Sequence, residues 1–480
     1  MLSKINLSDR KLILLIILIQ ILIYFTIFGP ISLINVNLNL RLLYGDFSSY
    51  SNFDFSSLKL ILSQHRTFGF PLLLKIYRFF DYELIFWTKF VFILYSISNL
   101  FLYYSLNKFN FSRIFSFFFV LTLTLSNPLY AYLAFWTELT SISFLMISLA
   151  FMFLSIKKNK ILYYLLFSLF LFFTYQIRAS FVVFVFLPII FCFFMFVIFK
   201  QKVFLKKILF FSMFPLISII VVRLLLVGSF GIVALNAGWS SSALILLEEK
   251  QIPKLKIENQ EIANKFLERK RKLPYPCNLD FSDEQIKNSG VYVGIYPCWN
   301  EYLMSNWLEL IKINLNIEPF EANDPRNINP WMFLPSLSNF FQEKEVIKKQ
   351  INIDKQLTNF SKNVYELNYK KVIIKLTKST INFLKLHRDK YKTLIYLFLF
   401  FLLPLIFIIN KSNENNESSG KELILTLSLI IVTLGNFLVL YGHQNGDPRA
   451  VIIQTFYLIP ILLSFLGYFI HRNLNSKIKL

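Results

Sequence analysis

Apolar runs of about 17–22 residues, separated by short basic or polar connections, dominate the first half of this chain and return near its end. Runs of that length span a bilayer as helices. They predict ten spanning segments, near 12–34, 84–106, 113–128, 139–156, 161–177, 181–199, 208–228, 393–410, 423–441 and 451–470. The short runs 113–128 and 161–177 suit a tilted, broken or re-entrant helix. Between 229 and 392 the pattern changes. Pro253, Pro274, Pro276, Pro297, Pro319, Pro325, Pro330 and Pro335 punctuate it, predicting turns and short helices. From Tyr369 to His387, Lys371, Lys375, Lys378 and Lys385 fall near one helical face, which predicts a basic amphipathic helix lying on the membrane surface. The expected fold is therefore all-α, a polytopic transmembrane helix bundle. It has an N-terminal transmembrane module, 1–228, with an outer loop at 35–83. A mixed, mostly helical extracytoplasmic loop domain, 229–392, and a C-terminal transmembrane module, 393–480, follow. No internal repeat is visible.

Composition sharpens this. The chain is 55% hydrophobic, with a mean hydropathy of +0.54. Its net charge of +22 lies beside the apolar runs, as expected for topology signals and contacts with anionic lipid rather than for nucleic acid. The short basic connections are Lys4/Arg10/Lys11, Lys108/Arg113, Lys157/Lys158/Lys160, Lys200/Lys202/Lys206/Lys207 and Arg472/Lys477/Lys479. With ten spans all fall on one side, which the positive-inside rule makes cytoplasmic. The 411–422 connection reads as a flexible cytoplasmic linker. Leu12 to Phe28 is longer than a signal-peptide core and precedes no small-residue cleavage site, so a retained first helix is expected. Cys277 and Cys298 share the predicted outer loop and are expected to pair there.

The candidate chemistry also falls on the outer side. Asp46, in Gly45-Asp46-Phe47-Ser48-Ser49, is a helix cap or a general base whose pKa partial burial would raise. Asp54 is a second candidate. In His65-Arg66-Thr67-Phe68-Gly69-Phe70-Pro71, Pro71 suits the first position of a helix. Arg66 offers a planar fork to a phosphate oxygen, and Gly69 allows close backbone approach. Glu138, after Trp136 and Thr137, either favours the start of the next span or aims a second carboxylate at the outer cavity. Arg178, between two apolar runs, either snorkels or binds an anion. In Tyr441-Gly442-His443-Gln444-Asn445-Gly446-Asp447-Pro448-Arg449, turn signals precede an arginine placed to hold an anionic head group. No histidine–cysteine set has zinc spacing, and a divalent metal held by Asp46 and Glu138 has no support from the pattern.

Taken together these residues resemble the integral-membrane glycosyltransferases of the GT-C superfamily, which includes protein O-mannosyltransferases and aminoarabinose transferases. The family's first outer loop has an acidic residue, a tyrosine, then Arg-x-x-Gly-Tyr-Pro. Here these are Asp46, Tyr50, Arg66, Gly69, Phe70 and Pro71. Glu138, Arg178-Ala179-Ser180 and Asp447-Pro448-Arg449 resemble further family elements. Phe70 replaces the usual tyrosine, and Phe47 follows Asp46 where many members carry a second acid, which weakens a metal-dependent reading.

The resemblance implies sugar transfer, with inversion, from a polyprenyl-phosphate donor to a glycan, lipid or protein acceptor. It puts the site on the extracytoplasmic side of the plasma membrane. Asp46, with Glu138 as a second carboxylate, would serve catalysis. Tyr50, His65, Arg66, Arg178, His443 and Arg449 would bind donor phosphate or substrate, with no cofactor required. Trp299, Trp307 and Trp331 pack the loop or stack on a glycan. Two other functions fit a multi-pass chain. An O-antigen-type polymerase or ligase leans on arginines in a late outer loop and needs no early aspartate. A polysaccharide or lipid transporter places charges mid-span.

Overall fold

The computed structural model describes residues 9–28, 50, 53–64, 66–81, 84, 86–126, 137–199, 202–228, 230–232, 247–272, 359–369 and parts of 421–432. Among them the regular elements are helices, with no strand. In chain order α1 is Asp9–Phe28, α2 Leu58–Ser63, α3 Gly69–Tyr77, α4 Trp87–Lys108, α5 Arg113–Ser126, α6 Thr137–Lys158 and α7 Ile161–Ile177. A 3-10 helix, Ala179–Val185, leads into α8, Phe186–Phe199. Then come α9, Lys202–Val227, a second 3-10 turn, Glu249–Lys254, and α10, Ile257–Lys272.

Four stretches are long and apolar enough to cross a membrane: Trp87–Lys108, Thr137–Lys158, Ala179–Phe199 and Phe204–Val227. Ile161–Ile177 is a shorter apolar helix. The chain is a helical membrane protein. The expected spans at 393–410 and 451–470 lie outside the described residues, as do Cys277, Cys298, the three loop tryptophans and nearly all of the expected amphipathic helix.

α6 is the centre of the bundle and packs along α4 and α7. Its small residues explain why. Ser141, Ser143, Ser148, Ala150 and Ser155 are buried and let neighbouring backbones approach, the usual basis of helix association in lipid. Ser148 donates across to the Phe167 carbonyl of α7 at 3.0 Å, and Ser168 of α7 donates to the Phe211 carbonyl of α9 at 2.7 Å. Phenylalanines fill the remaining space, as where Phe153 meets Phe109, Phe111 and Phe191.

The bundle has two chemically distinct ends. At one, α4 turns into α5 and α6 into α7, with Asn110 (φ 70°) and Asn159 (φ 50°) taking the left-handed conformation that asparagine tolerates. Several basic connections grouped by the sequence meet here. Arg113 pairs with Asp9 at 2.9 Å, and Lys207 donates to Asn159 at 2.7 Å. The expected linker 411–422 is anchored at its last residues. Lys421 and Glu422 are buried, and the Glu422 carboxylate accepts the Ser112 backbone N–H at 2.9 Å, satisfying a donor at the start of α5. The opposite end carries α2, α3, the start of α6 and the end of α7.

Two described parts of the long loop, 247–272 and 359–369, touch each other. Gln251 donates to Asn368 at 2.6 Å, and the Lys256 backbone N–H donates to Asn363 at 3.0 Å. The segments at either end of 273–358 are thereby clamped side by side.

Candidate functional site

Residues 54–64 are built as a closed hairpin. Ser57 caps α2 by accepting the Leu60 N–H at 3.2 Å. Gln64 folds back, donating to the Asp54 carbonyl at 2.8 Å and accepting the Asp54 N–H at 3.1 Å. The Asp54 carboxylate accepts the Ser56 N–H at 2.7 Å, so this acid serves a local turn.

Arg66 follows this hairpin. Its guanidinium carbon lies 5.0 Å from the Tyr50 ring centroid, a cation–π contact. Tyr50 meets Phe70 edge-on at 5.0 Å, and Phe70 meets Trp87 edge-on at 5.6 Å. Three residues quoted for the resemblance therefore form one stack. Phe70 is fully buried between two rings. That accounts for the absent hydroxyl: a tyrosine there would need a partner inside an aromatic contact.

Gly69 opens α3 flush against the last turn of α7. A Cβ at this position would stand 2.6 Å from the Gln176 carbonyl carbon, 2.7 Å from its oxygen and 2.8 Å from the Ile177 nitrogen. All three are main-chain atoms, so no side-chain movement relieves the clash. The sequence expected a close backbone approach at Gly69, and the backbone in question is the chain's own. Pro71 is the third residue of α3, not the first, because the helix begins at Gly69. It still lies in the first turn, where its missing N–H costs nothing.

Two residues beyond Gln176, Arg178 ends α7 in an extended conformation, φ −142° and ψ 114°. It crosses to the start of α6 rather than snorkelling. Nη1 meets Glu138 Oε1 at 2.8 Å and donates to Thr137 Oγ1 at 3.0 Å, while Nε donates to Ser180 Oγ at 3.1 Å. Thr137 in turn donates to Glu138 Oε2 at 3.4 Å. The Glu138 side chain is 6% exposed and that of Arg178 19%. Glu138 also faces the partial positive charge at the α6 N-terminus. Nη2 of Arg178 makes no protein hydrogen bond among the described residues.

Several buried groups here have no hydrogen-bond partner among the described residues: the Gln176 amide nitrogen and the hydroxyls of Tyr175, Thr140 and Ser141. Folded proteins carry few such groups.

Of the sequence candidates, the structure brings Tyr50 and Arg66 together, and Glu138 and Arg178 together. The Gly69 contact joins the two groups at one end of the bundle. Asp46, His65, His443 and Arg449 lie outside the described residues. Among the described residues, no three of His, Cys, Asp and Glu gather as metal ligands.

Sequence reasoning missed Arg223. It lies in α9, is fully buried, and donates from Nε to the Leu62 carbonyl at 2.9 Å and from Nη1 to the Gly231 carbonyl at 2.7 Å. It ties the end of α2, just before Arg66, to the first residues of the long loop. A guanidinium inside the 208–228 apolar run was the available signal. Searches of protein-family models, curated proteins and solved structures find no match for this chain.

Proposed function

We propose that this protein is a membrane glycosyltransferase that moves a sugar from a polyprenyl-phosphate donor to an acceptor hydroxyl outside the plasma membrane. The observation that supports this reading is the approach of Gly69 to Gln176 and Ile177. It holds two arginine-bearing segments, Arg66 and Arg178, at the same end of the bundle. That is an arrangement suited to an anionic leaving group.

The acceptor oxygen attacks the anomeric carbon, the bond from that carbon to the phosphate oxygen breaks, and the configuration inverts. Asp46 takes the acceptor proton. The polyprenyl phosphate leaves as a stable anion and needs positive charge rather than an acid. Arg66 and Arg449 supply it, with His65 and His443 beside them in sequence. Arg178 offers its Nη2 to the phosphate. Glu138, committed to Nη1, orients that guanidinium rather than moving a proton. The 229–392 loop covers the outer face and receives the acceptor.

The test is mass spectrometry of surface glycans from cells lacking the gene, complemented with wild type or Asp46→Asn. A positioned base is worth about 10²–10⁴-fold in rate. Asn caps a helix about as well as Asp, so the variant should be well folded and inactive. An unchanged glycan profile in the deletion ends the reading. Full complementation by Asp46→Asn ends the catalytic assignment.

A further inference from the structure

The segment joining α3 to α4 carries an apolar surface that the site does not use. α3 buries Gly69, Phe70, Pro71 and Leu74 against the bundle. Past its end the surface stays apolar: Ile76 is exposed, and in the turn that follows the helix Phe79 is 82% exposed and Phe80 85% exposed. Two large rings exposed side by side form an apolar surface that the bundle does not cover. Lys75 and Arg78 flank it in the sequence and Lys89 stands in the first turn of α4, while the Asp81 carboxylate is engaged locally, accepting the Phe86 N–H at 2.7 Å. The Lys75 and Lys89 ammonium groups sit over Phe55 and Phe86 at 4.9 Å and 5.1 Å. The Arg78 Nε is buried and has no hydrogen-bond partner among the described residues. Leu84, in the same turn, adopts φ 61°, a strained conformation for a leucine, and is buried while Phe86 beside it is exposed.

We infer that this turn is embedded in the interfacial layer of the bilayer, with Phe79 and Phe80 among the acyl chains and Lys75, Arg78 and Lys89 on lipid phosphates. Continuity decides the occupant. The turn precedes α4, a stretch long and apolar enough to cross a membrane. The outward stripe of α4, Phe86, Phe90, Ile93 and Ile97, repeats at helical spacing and is exposed along its length. Phe79 and Phe80 stand just ahead of that helix in the chain and are exposed as the stripe is. Cations beside an apolar surface match anionic head groups above acyl chains, whereas a soluble protein partner would have to cover a surface level with the lipid. The inference rests on the membrane assignment alone, so it stands or falls separately from sugar transfer.

The test uses the full chain in nanodiscs containing anionic phospholipid, with Cys277 and Cys298 replaced. Cys192 is buried and stays unlabelled. Phe79→Cys, and separately Phe80→Cys, is labelled with a polarity-sensitive fluorophore. Quenching by lipids bearing a shallow nitroxide, with protection from aqueous iodide, is the expected result. Iodide quenching without nitroxide quenching overturns the inference, and so does protection from both, which would mean a protein covers the turn. In a second arm, Lys75→Gln, Arg78→Gln and Lys89→Gln should lower anionic-lipid retention by roughly fivefold per cation. Unchanged retention in the triple variant removes the phosphate contacts from the proposal.

Discussion

The two ends of the bundle each hold an arginine–carboxylate pair of nearly the same length, and the pairs do different things. Arg113 and Asp9 meet at 2.9 Å with side chains 55% and 45% exposed. Arg178 and Glu138 meet at 2.8 Å with side chains 19% and 6% exposed. Distance alone would rank them equal. In water the first gains little, because solvent screens it and two long side chains lose freedom. The second has given up most of its hydration, so its stability depends on every partner being present. Hydroxyls from Thr137 and Ser180 complete it, whereas the basic end relies on turns, backbone caps and exposed cations. One end carries exposed cations and turns, while the other holds a buried charge pair in a fixed geometry.

The sharpest way to break this comparison is Glu138→Ala, which strands Arg178. Loss of one partner of a buried pair costs about 3–5 kcal/mol. Thermal unfolding in detergent should show a clear fall in midpoint, and Arg178→Met on top of it should recover part of the loss. If the double variant is no better than the single one, the pair is not the coupled unit described above. Arg223→Lys comes next. A lysine cannot hold two carbonyls in the arginine's planar fork, and one charged hydrogen bond is worth about 1.5–3 kcal/mol. Protease cleavage after residue 64 should speed up, since α2 loses its anchor on α9.

Gly69→Ala pushes a methyl into the α7 backbone and should cost about 1–3 kcal/mol as overpacking. Because α7 must shift at Gln176, it should also weaken the Glu138–Arg178 pair, and a double-mutant cycle with Glu138→Ala measures that coupling. Simple additivity would show that the two contacts are independent. The smallest effect belongs to Asp9→Ala. Breaking an exposed pair should change stability by about 0–1 kcal/mol, less at high salt. A loss as large as that of Glu138→Ala would erase the distinction between the ends.

Much of this was legible along the chain. The apolar runs placed α4, α6, α7, α8 and α9 within a few residues, because lipid forces backbone hydrogen bonds to close within each segment. The same logic marked Glu138 and Arg178, since charges beside apolar runs are costly. It could not say that they pair. Local rules make Glu138 a helix-start residue and Arg178 a snorkelling one, and each is sufficient alone. The contacts of Arg223 are not legible in the sequence because the Leu62 and Gly231 groups it bonds are main-chain carbonyls, the first 161 residues away, and every residue type offers a carbonyl.

The sequence by itself determined the helices, the membrane and the grouping of basic connections, because these follow from hydrophobic length and charge position, which are properties of the chain read in order. Tertiary structure alone decided which charges meet, why Gly69 must lack a side chain, and why Phe70 can lack a hydroxyl. Those depend on the distance between α3, α6 and α7, which is set by how closely small residues let the helices approach.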